Sequence, residues 1–366
     1  MSQLVVRYQL RSSDPKGLAD AIRVEQSIEF PNQLAQKWIR EDVVGQIVNM
    51  GATVNGLTKV EIAYNPDNTG YELPQLLNVL WGNVSILPGV RIENVEFPES
   101  ILSKFKGPRF GVEGLRKMLD APTRPLASTA LKPMGSSSKQ YAAMAYEIAR
   151  AGFDTIKDDH SLANQPWSLW RERVEAISEA VRKANAETGG KCIYAPSLNL
   201  PSDQIAQAAF DAKALGAGAL LVLPGISGFD LMRSLAEDDE LGLPIMGHPA
   251  LLGSFVTSKE QGISHGVVFG QLMRIAGADI GIFPNFGGRF SFSKEECGEI
   301  ALAGRSTLSH LKPLWLSPAG GMTIDRIGEM IDFYGKNTAS LIGGALHRGD
   351  LYENSRAMVQ KIQSAS

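Results

Sequence analysis

The sequence predicts an α/β protein in which a (β/α)8 barrel follows a small α+β N-terminal domain. From Pro125 onward, short apolar runs alternate regularly with amphipathic stretches, and eight such units fill roughly 240 residues, the count and length of such a barrel. The residues before it form strand-like and helix-like segments with no such repeat, as an α+β domain does. The unusual ionisable and glycine residues then fall at the ends of the barrel runs, where barrel enzymes carry their chemistry.

In the N-terminal part, residues 1–118, Leu4 to Gln9 alternates as a strand and Lys16 to Glu25 reads as a helix presenting Leu18, Ile22 and Val24 to a core. Val43 to Val48 and Gly56 to Tyr64 read as antiparallel strands, Leu73 to Trp81 as a helix and Val90 to Phe97 as a further strand. The segment Phe105 to Gly111 leads out of this domain.

In the barrel, residues 119–366 with a C-terminal helix, the predicted strands are Leu126 to Lys132, Phe153 to Asp159, Cys192 to Ser197, Ala219 to Leu223, Leu243 to His248, Ala278 to Pro284, Pro313 to Ser317 and Thr338 to Ile342. Helical patterns follow them, for example Ser138 to Ala151 and Pro166 to Thr188. The competing fold, a doubly wound open sheet, uses fewer strands, and the first turn here lacks Gly-x-Gly-x-x-Gly.

With 366 residues, 44% hydrophobic and 20% charged, the chain has the composition of a globular protein. A net charge of -3 and no run of Lys or Arg argue against nucleic acid or an anionic membrane as partner. No apolar run reaches the roughly 18 residues that span a bilayer, and Met1 to Arg7 lacks a signal pattern, so a cytoplasmic location is expected. Cys192 and Cys297 lie too far apart for a zinc or redox motif and are expected as buried thiols.

The stretch Lys157-Asp158-Asp159-His160 ends the second barrel run. The side-chain period of two puts Lys157 and Asp159 on one face, Asp158 and His160 on the other. Such residues could form only an ion pair, but other strand ends carry comparable groups: Lys132 ends strand one, Asn199 follows strand three, His248 ends strand five, and Asn285 and Arg289 follow strand six. Gly320-Gly321 and Gly343-Gly344 follow strands seven and eight. Glycines there can serve tight turns, yet barrels commonly close backbone N–H groups around phosphate at this place.

These residues carry a resemblance. Ser128-Thr129-Ala130-Leu131-Lys132-Pro133, Lys157-Asp158-Asp159-His160, Ala319-Gly320-Gly321 and Ile342-Gly343-Gly344 resemble motifs of the ribulose-bisphosphate carboxylase large chain. Trp81-Gly82-Asn83-Val84 and Phe105 to Gly111 resemble that family's N-terminal domain, and the likeness runs from about Glu25 to Gly344. It implies that Lys157 takes up carbon dioxide as a carbamate and binds Mg2+ together with Asp159, and that Lys132 stabilises or protonates an enediolate. It also implies a homodimer whose shared active sites receive Glu25 and Asn83 from the neighbouring subunit.

Where this chain departs from the carboxylase, the departures argue against carbon-dioxide fixation. His160 stands at the third metal ligand, a glutamate in the family, and since an imidazole suits magnesium poorly, either another divalent metal is used or His160 does not ligate it. The carboxylase's second lysine after strand one is replaced by Met134 or Gly135, and the lysine of the loop after strand six by Arg289. Pro249 replaces an arginine and Ile282 a histidine of the second phosphate site, so a second dianion would find no charge partner. The profile is that of a RuBisCO-like protein acting on a phosphorylated ketose. The expected reaction is isomerisation of 5-methylthioribulose 1-phosphate through an enediolate, with Lys132 or the Lys157 carbamate moving protons and Arg289 covering the substrate.

Three alternatives remain. The 2,3-diketo-5-methylthiopentyl-1-phosphate enolase of methionine salvage uses a lysine where Arg91 roughly falls here. A decarboxylase of a branched 3-oxo sugar-acid phosphate would share the enediolate chemistry. A non-catalytic regulatory barrel would be expected to lose Lys132, Lys157 and Asp159.

Overall fold

A computed structural model describes residues 2–365. The first strand, β1 (Leu4–Leu10), alternates buried and half-buried side chains, and its partners β3 (Thr58–Tyr64) and β4 (Val90–Glu96) run antiparallel on either side of it. Between β1 and β3 lie α1 (Pro15–Glu25) and β2 (Gln46–Met50), and α2 (Leu73–Trp81) precedes β4. Asp14 caps α1 by accepting from Gly17 N–H at 2.9 Å, with Pro15 at its first position.

The predicted strand beginning at Val43 starts three residues later, at Gln46. Val43 instead ends a turn, Ile39–Val43, whose last two carbonyls accept from Asn65 and Asn68 side chains. Those bonds divert the valine pair from sheet pairing.

After the short α3 (Glu99–Leu102) comes α4 (Gly111–Met118), which carries Val112 and Leu115 into the end of the barrel. They pack there with Leu126, Met246 and Trp315, whose indole N–H donates to Val112 O at 3.2 Å. Buried Asp279 fixes the approach to α4, accepting from Phe110 N–H and Gly111 N–H at 2.7 Å each and from Ile245 N–H at 3.1 Å.

The barrel strands are β5 (Leu126–Leu131), β6 (Thr155–Asp158), β7 (Ile193–Ala195), β8 (Leu220–Val222) and β9 (Ile245–Gly247), then β11 (Ile280–Pro284), β12 (Trp315–Ala319) and β13 (Ala339–Leu341), after the intervening β10 (Gly262–Ile263). Two parallel four-stranded arcs, β13-β5-β6-β7 and β8-β9-β11-β12, close through the bridges Ser197↔Leu221 and Leu316↔Thr338. All eight predicted runs are thus barrel strands, shorter than predicted at most ends. The sequence reading missed β10, which leaves the barrel rhythm to pair in parallel with β4, Ile263 opposite Ile92. It completes the N-terminal sheet in the order β10-β4-β1-β3-β2.

Helices α5 (Ser138–Arg150) and α6 (Trp170–Thr188) cover the strands from outside. A capping box of Ser137 and Gln140 starts α5. Helix α6 begins four residues after the predicted Pro166, because Asn164 Oδ1 accepts from Trp170 N–H at 2.7 Å. Cys192 and Cys297 are free and buried, as expected. Among the described residues no helix is long and apolar enough to cross a membrane.

Candidate active site

Because strand side chains alternate, β5 and β6 send Ala130 and Lys157 inward, and Lys132 continues from the end of β5. A cavity of about 820 Å³ lies at these strand ends. Lys132, Lys157, Asp159, His160, His248 and Arg289 line it, as do all four expected glycines, Gly320, Gly321, Gly343 and Gly344. The structure thus brings these strand-end residues together at one cavity.

Lys157 is buried, and its Nζ donates to the Asp158 carbonyl at 3.1 Å. Burial, which disfavours the ammonium, brings its pKa down to about 8, and the neighbouring Lys132 adds to the effect. Burial would raise the Asp159 carboxyl. Hydrogen bonds from His160 and Lys132, with the charge of Lys157, overcome this and hold it well below the usual carboxylate range. Lys132 closes an ion pair with Asp159, and His160 Nδ1 stands 3.2 Å from the other carboxylate oxygen.

Asp158 points away from the cavity. It accepts from Tyr194 OH at 2.7 Å, from Ser197 N–H at 3.1 Å and from Arg173 at 3.3 Å, and both ions are wholly buried. Arg173 also donates to Ser168 O and Ala163 O at 2.8 Å each, so it clamps the turn after β6 from behind.

The expected pairing of His160 with Asp158 on one face is corrected. Strand β6 ends at Asp158, so the period of two stops there and the turn swings His160 into the cavity. His160 stacks on His248, with ring centroids 4.8 Å apart and planes 10° from parallel. Burial, then the charges of Lys157 and His160, push the His248 pKa well below the usual histidine value. Its Nδ1 accepts from Ala250 N–H at 3.1 Å, which leaves the proton of the neutral ring on Nε2.

The glycine loops meet the loop after β11. Arg289 N–H donates to Gly320 O at 2.9 Å, and a Cβ on Gly321 would come 3.1 Å from Arg289 N. Phe290 lies against Gly320, where an added Cβ would clash at 2.7 Å. Lys132 Cε would sit 3.3 Å from a Cβ on Gly343.

The remaining expected residues lie elsewhere. Asn285 is buried as a structural acceptor for Tyr334 OH at 2.5 Å, and Asn199 stays outside the cavity lining. Glu25 and Asn83 lie outside this cavity's lining in their own chain but are bonded to each other, Asn83 Nδ2 to Glu25 Oε1 at 2.8 Å. Buried Gln26 holds that pair in place, donating to Asn78 O and Val79 O and accepting from Val84 N–H at 3.0 Å.

Sequence reasoning missed Phe269, Phe292, Met322 and Arg348, which also line the cavity. Phe269 comes from the helical segment after β10, outside the strand-loop repeat, so strand counting had no means of finding it. Among the described residues no group of three or more His, Cys, Asp or Glu side chains forms a metal cage. The expected metal set of Lys157, Asp159 and His160 therefore depends on Lys157 becoming an oxygen donor.

Residues 111–284 match the family model of the ribulose bisphosphate carboxylase large chain, catalytic domain. Ribulose bisphosphate carboxylase-like protein 1 of Rhodopseudomonas palustris is 36% identical over 94% of this chain and 92% of its own. A protein of Rhodospirillum rubrum named 5-methylthioribulose-1-phosphate isomerase is 33% identical over 98% of this chain and 96% of its own. A crystal structure of a Rubisco-like protein from Rhodopseudomonas palustris superposes with a TM-score of 0.90 at 34% identity, covering 100% of this chain and 98% of that one. With relatives this similar over nearly their whole length, and with the same barrel fold, the chain belongs to the RuBisCO-like proteins, relatives of the carboxylase large chain.

Proposed function

We propose that the chain is a metal-dependent isomerase of 5-methylthioribulose 1-phosphate, shifting the substrate carbonyl through an enediolate. The polarity of the cavity carries this reading. Lys132, Arg289 and the glycine loops line it, and so do the apolar Pro249, Leu251, Phe269, Ile282 and Phe292. A phosphate suits the first and a methylthio group the second, and an unpaired second phosphate would be desolvated without a partner. The name of the Rhodospirillum rubrum relative supports the same substrate.

The donor set fits a divalent ion, Mg2+ in the first place. With its pKa near 8, Lys157 offers a share of neutral amine for carbon dioxide to convert into a carbamate, and Asp159 adds an oxygen of the kind magnesium prefers. Lys157 as carbamate and Asp159 would hold the ion, and the nearby His160 is the reason a softer divalent metal also suits. When bound, the ion would supply polarisation of the substrate carbonyl.

The chain's own residues do the rest. Lys132 moves a proton at the carbon beside that carbonyl, a role worth about 10²–10⁴ in rate. The Nε2–H of His248 donates to a substrate oxygen, and Arg289 covers the substrate from its loop. In the homodimer, residues 1–118 of one subunit cover the barrel (119–366) of the other and bring Glu25 and Asn83 to the shared site.

The enolase reading is weaker. Arg91, at the place of that enzyme's lysine, does not readily give up a proton and is tied to Ser258 O at 2.5 Å and to Glu93 at 3.0 Å. The deciding experiment supplies 5-methylthioribulose 1-phosphate to metal-loaded protein in deuterated water and follows it by NMR. Isomer formation with exchange at the carbon next to the carbonyl is expected; an unchanged, unexchanged substrate overturns the reading.

A further inference from the structure

Among the ionisable side chains lining the cavity, Lys132, Lys157, Arg289 and Arg348 are cationic and Asp159 alone is a carboxylate. Lys132 already pairs with that carboxylate. Arg289 lies over the Phe290 ring at 5.0 Å. Arg348 makes no side-chain hydrogen bond, ion pair or ring contact among the described residues and is exposed at the rim. Most other arginines are committed: Arg173 to Asp158, Arg274 to four backbone carbonyls, Arg124 to Asp154.

The backbone of Arg348, by contrast, is fixed. Its carbonyl accepts from Asn354 Nδ2 at 3.0 Å, and the same amide group donates to Leu346 O at 3.0 Å. A guanidinium on a pinned base therefore lines the same cavity as Gly343 and Gly344, whose N–H groups donate to no other group among the described residues. Arg289, which also lines the cavity, has its backbone against Gly320 and Gly321.

We propose that Arg348 is a specificity-determining residue for the substrate's phosphate, which it grips through two guanidinium N–H groups while the Gly343 and Gly344 N–H groups take further oxygens. The planar fork of arginine matches phosphate geometry in two places at once, as a lysine or a neutral amide does not. A phosphomonoester dianion is the ligand class selected. The proposal rests on the reading of the glycine loops as a phosphate site.

The test uses inorganic phosphate as the probe, titrated calorimetrically at low ionic strength into the full chain and into Arg348→Gln, Arg348→Lys and Arg356→Gln. Arg356 is exposed on the C-terminal helix, Leu351–Ser364, outside the cavity lining, and controls for net charge. Loss of a charge-assisted bond pair weakens binding by about 10- to 100-fold, so this is expected for Arg348→Gln, with Arg348→Lys intermediate and Arg356→Gln within about twofold. Since the Arg348 side chain holds nothing else, unaltered circular dichroism is expected throughout. Phosphate affinity that is unchanged in Arg348→Gln, or lowered equally in Arg356→Gln, overturns the clamp alone. An absence of saturable phosphate binding in the wild-type protein overturns the glycine-loop reading and the clamp with it.

Discussion

Lys132 and Asp159, carried by neighbouring strand ends, form an ion pair in which the lysine side chain keeps 31% of its exposure and the aspartate only 7%. The carboxylate is thus set into the wall, and the ammonium is the more exposed partner. Under the proposed mechanism the two residues have separable duties. Lys132→Ala is expected to lower turnover by about 10²–10⁴ while divalent metal binding survives. Asp159→Ala and Lys157→Ala are expected to lose both, with the fold intact. Calorimetric titration of Mg2+ in bicarbonate buffer, beside an assay on chelator-treated protein, separates these outcomes; full activity without metal would sink the metal hypothesis.

Glu25 and Asn83 bond to each other outside the cavity of their own chain. If they serve the neighbouring subunit, Glu25→Gln and Lys132→Ala are each inactive alone. Mixed with free exchange of subunits, half the dimers are heterodimers and each then has one site built from two intact halves. Activity should recover to about a quarter of the wild-type value per site. No recovery despite demonstrated exchange would place both residues in one site of one chain.

Pro249 and Ile282 stand in the apolar part of the cavity wall. An alkylthio ketose monophosphate is therefore expected to bind about tenfold to a thousandfold more tightly than ribulose 1,5-bisphosphate, whose second dianion lacks a partner there. Pro249→Arg should narrow the gap from the bisphosphate side. Calorimetry with both ligands measures it, and tighter binding of the bisphosphate by the wild-type protein refutes the assignment.

Removing one member of the Asp158–Arg173 pair would leave the other ion buried alone. Asp158→Ala is expected to cost about 3–5 kcal/mol in urea unfolding and to reduce activity by loosening the turn that carries Asp159. A loss under about 1 kcal/mol would show that the cluster is not the clamp described.

His265 is buried against Phe292, with rings edge to face at 4.4 Å and Nε2 3.8 Å from Glu296. Burial holds its pKa down to about 4, despite Glu296, and Arg91 lowers it further. A histidine that is harder to protonate when folded stabilises the protein above its unfolded pKa of about 6.5, and this contribution is lost as pH falls from there towards about 4. The difference in unfolding free energy between wild type and His265→Leu should change by at most about 3 kcal/mol over that window. A pH-independent difference would contradict it.

The sequence by itself determined the barrel, because eight short apolar runs, each followed by a helical stripe, leave few other ways to bury their faces. It also picked out strand ends that meet: Lys132, Lys157, Asp159, His248 and the glycine pairs all line one cavity. Only the tertiary structure decided what depends on where a strand stops or on contacts between distant segments. Alternation assigned His160 to the wrong face because β6 ends at Asp158, and the turn beyond it is aimed by Arg173, fifteen residues away. Arg348 and Phe269 bear no local mark of their place, since one hangs from a loop pinned by Asn354 and the other belongs to a helical segment outside the repeat. Strand β10 pairs with a sheet more than 160 residues earlier in the chain, a contact set by the packing of two structural layers, which no local periodicity encodes.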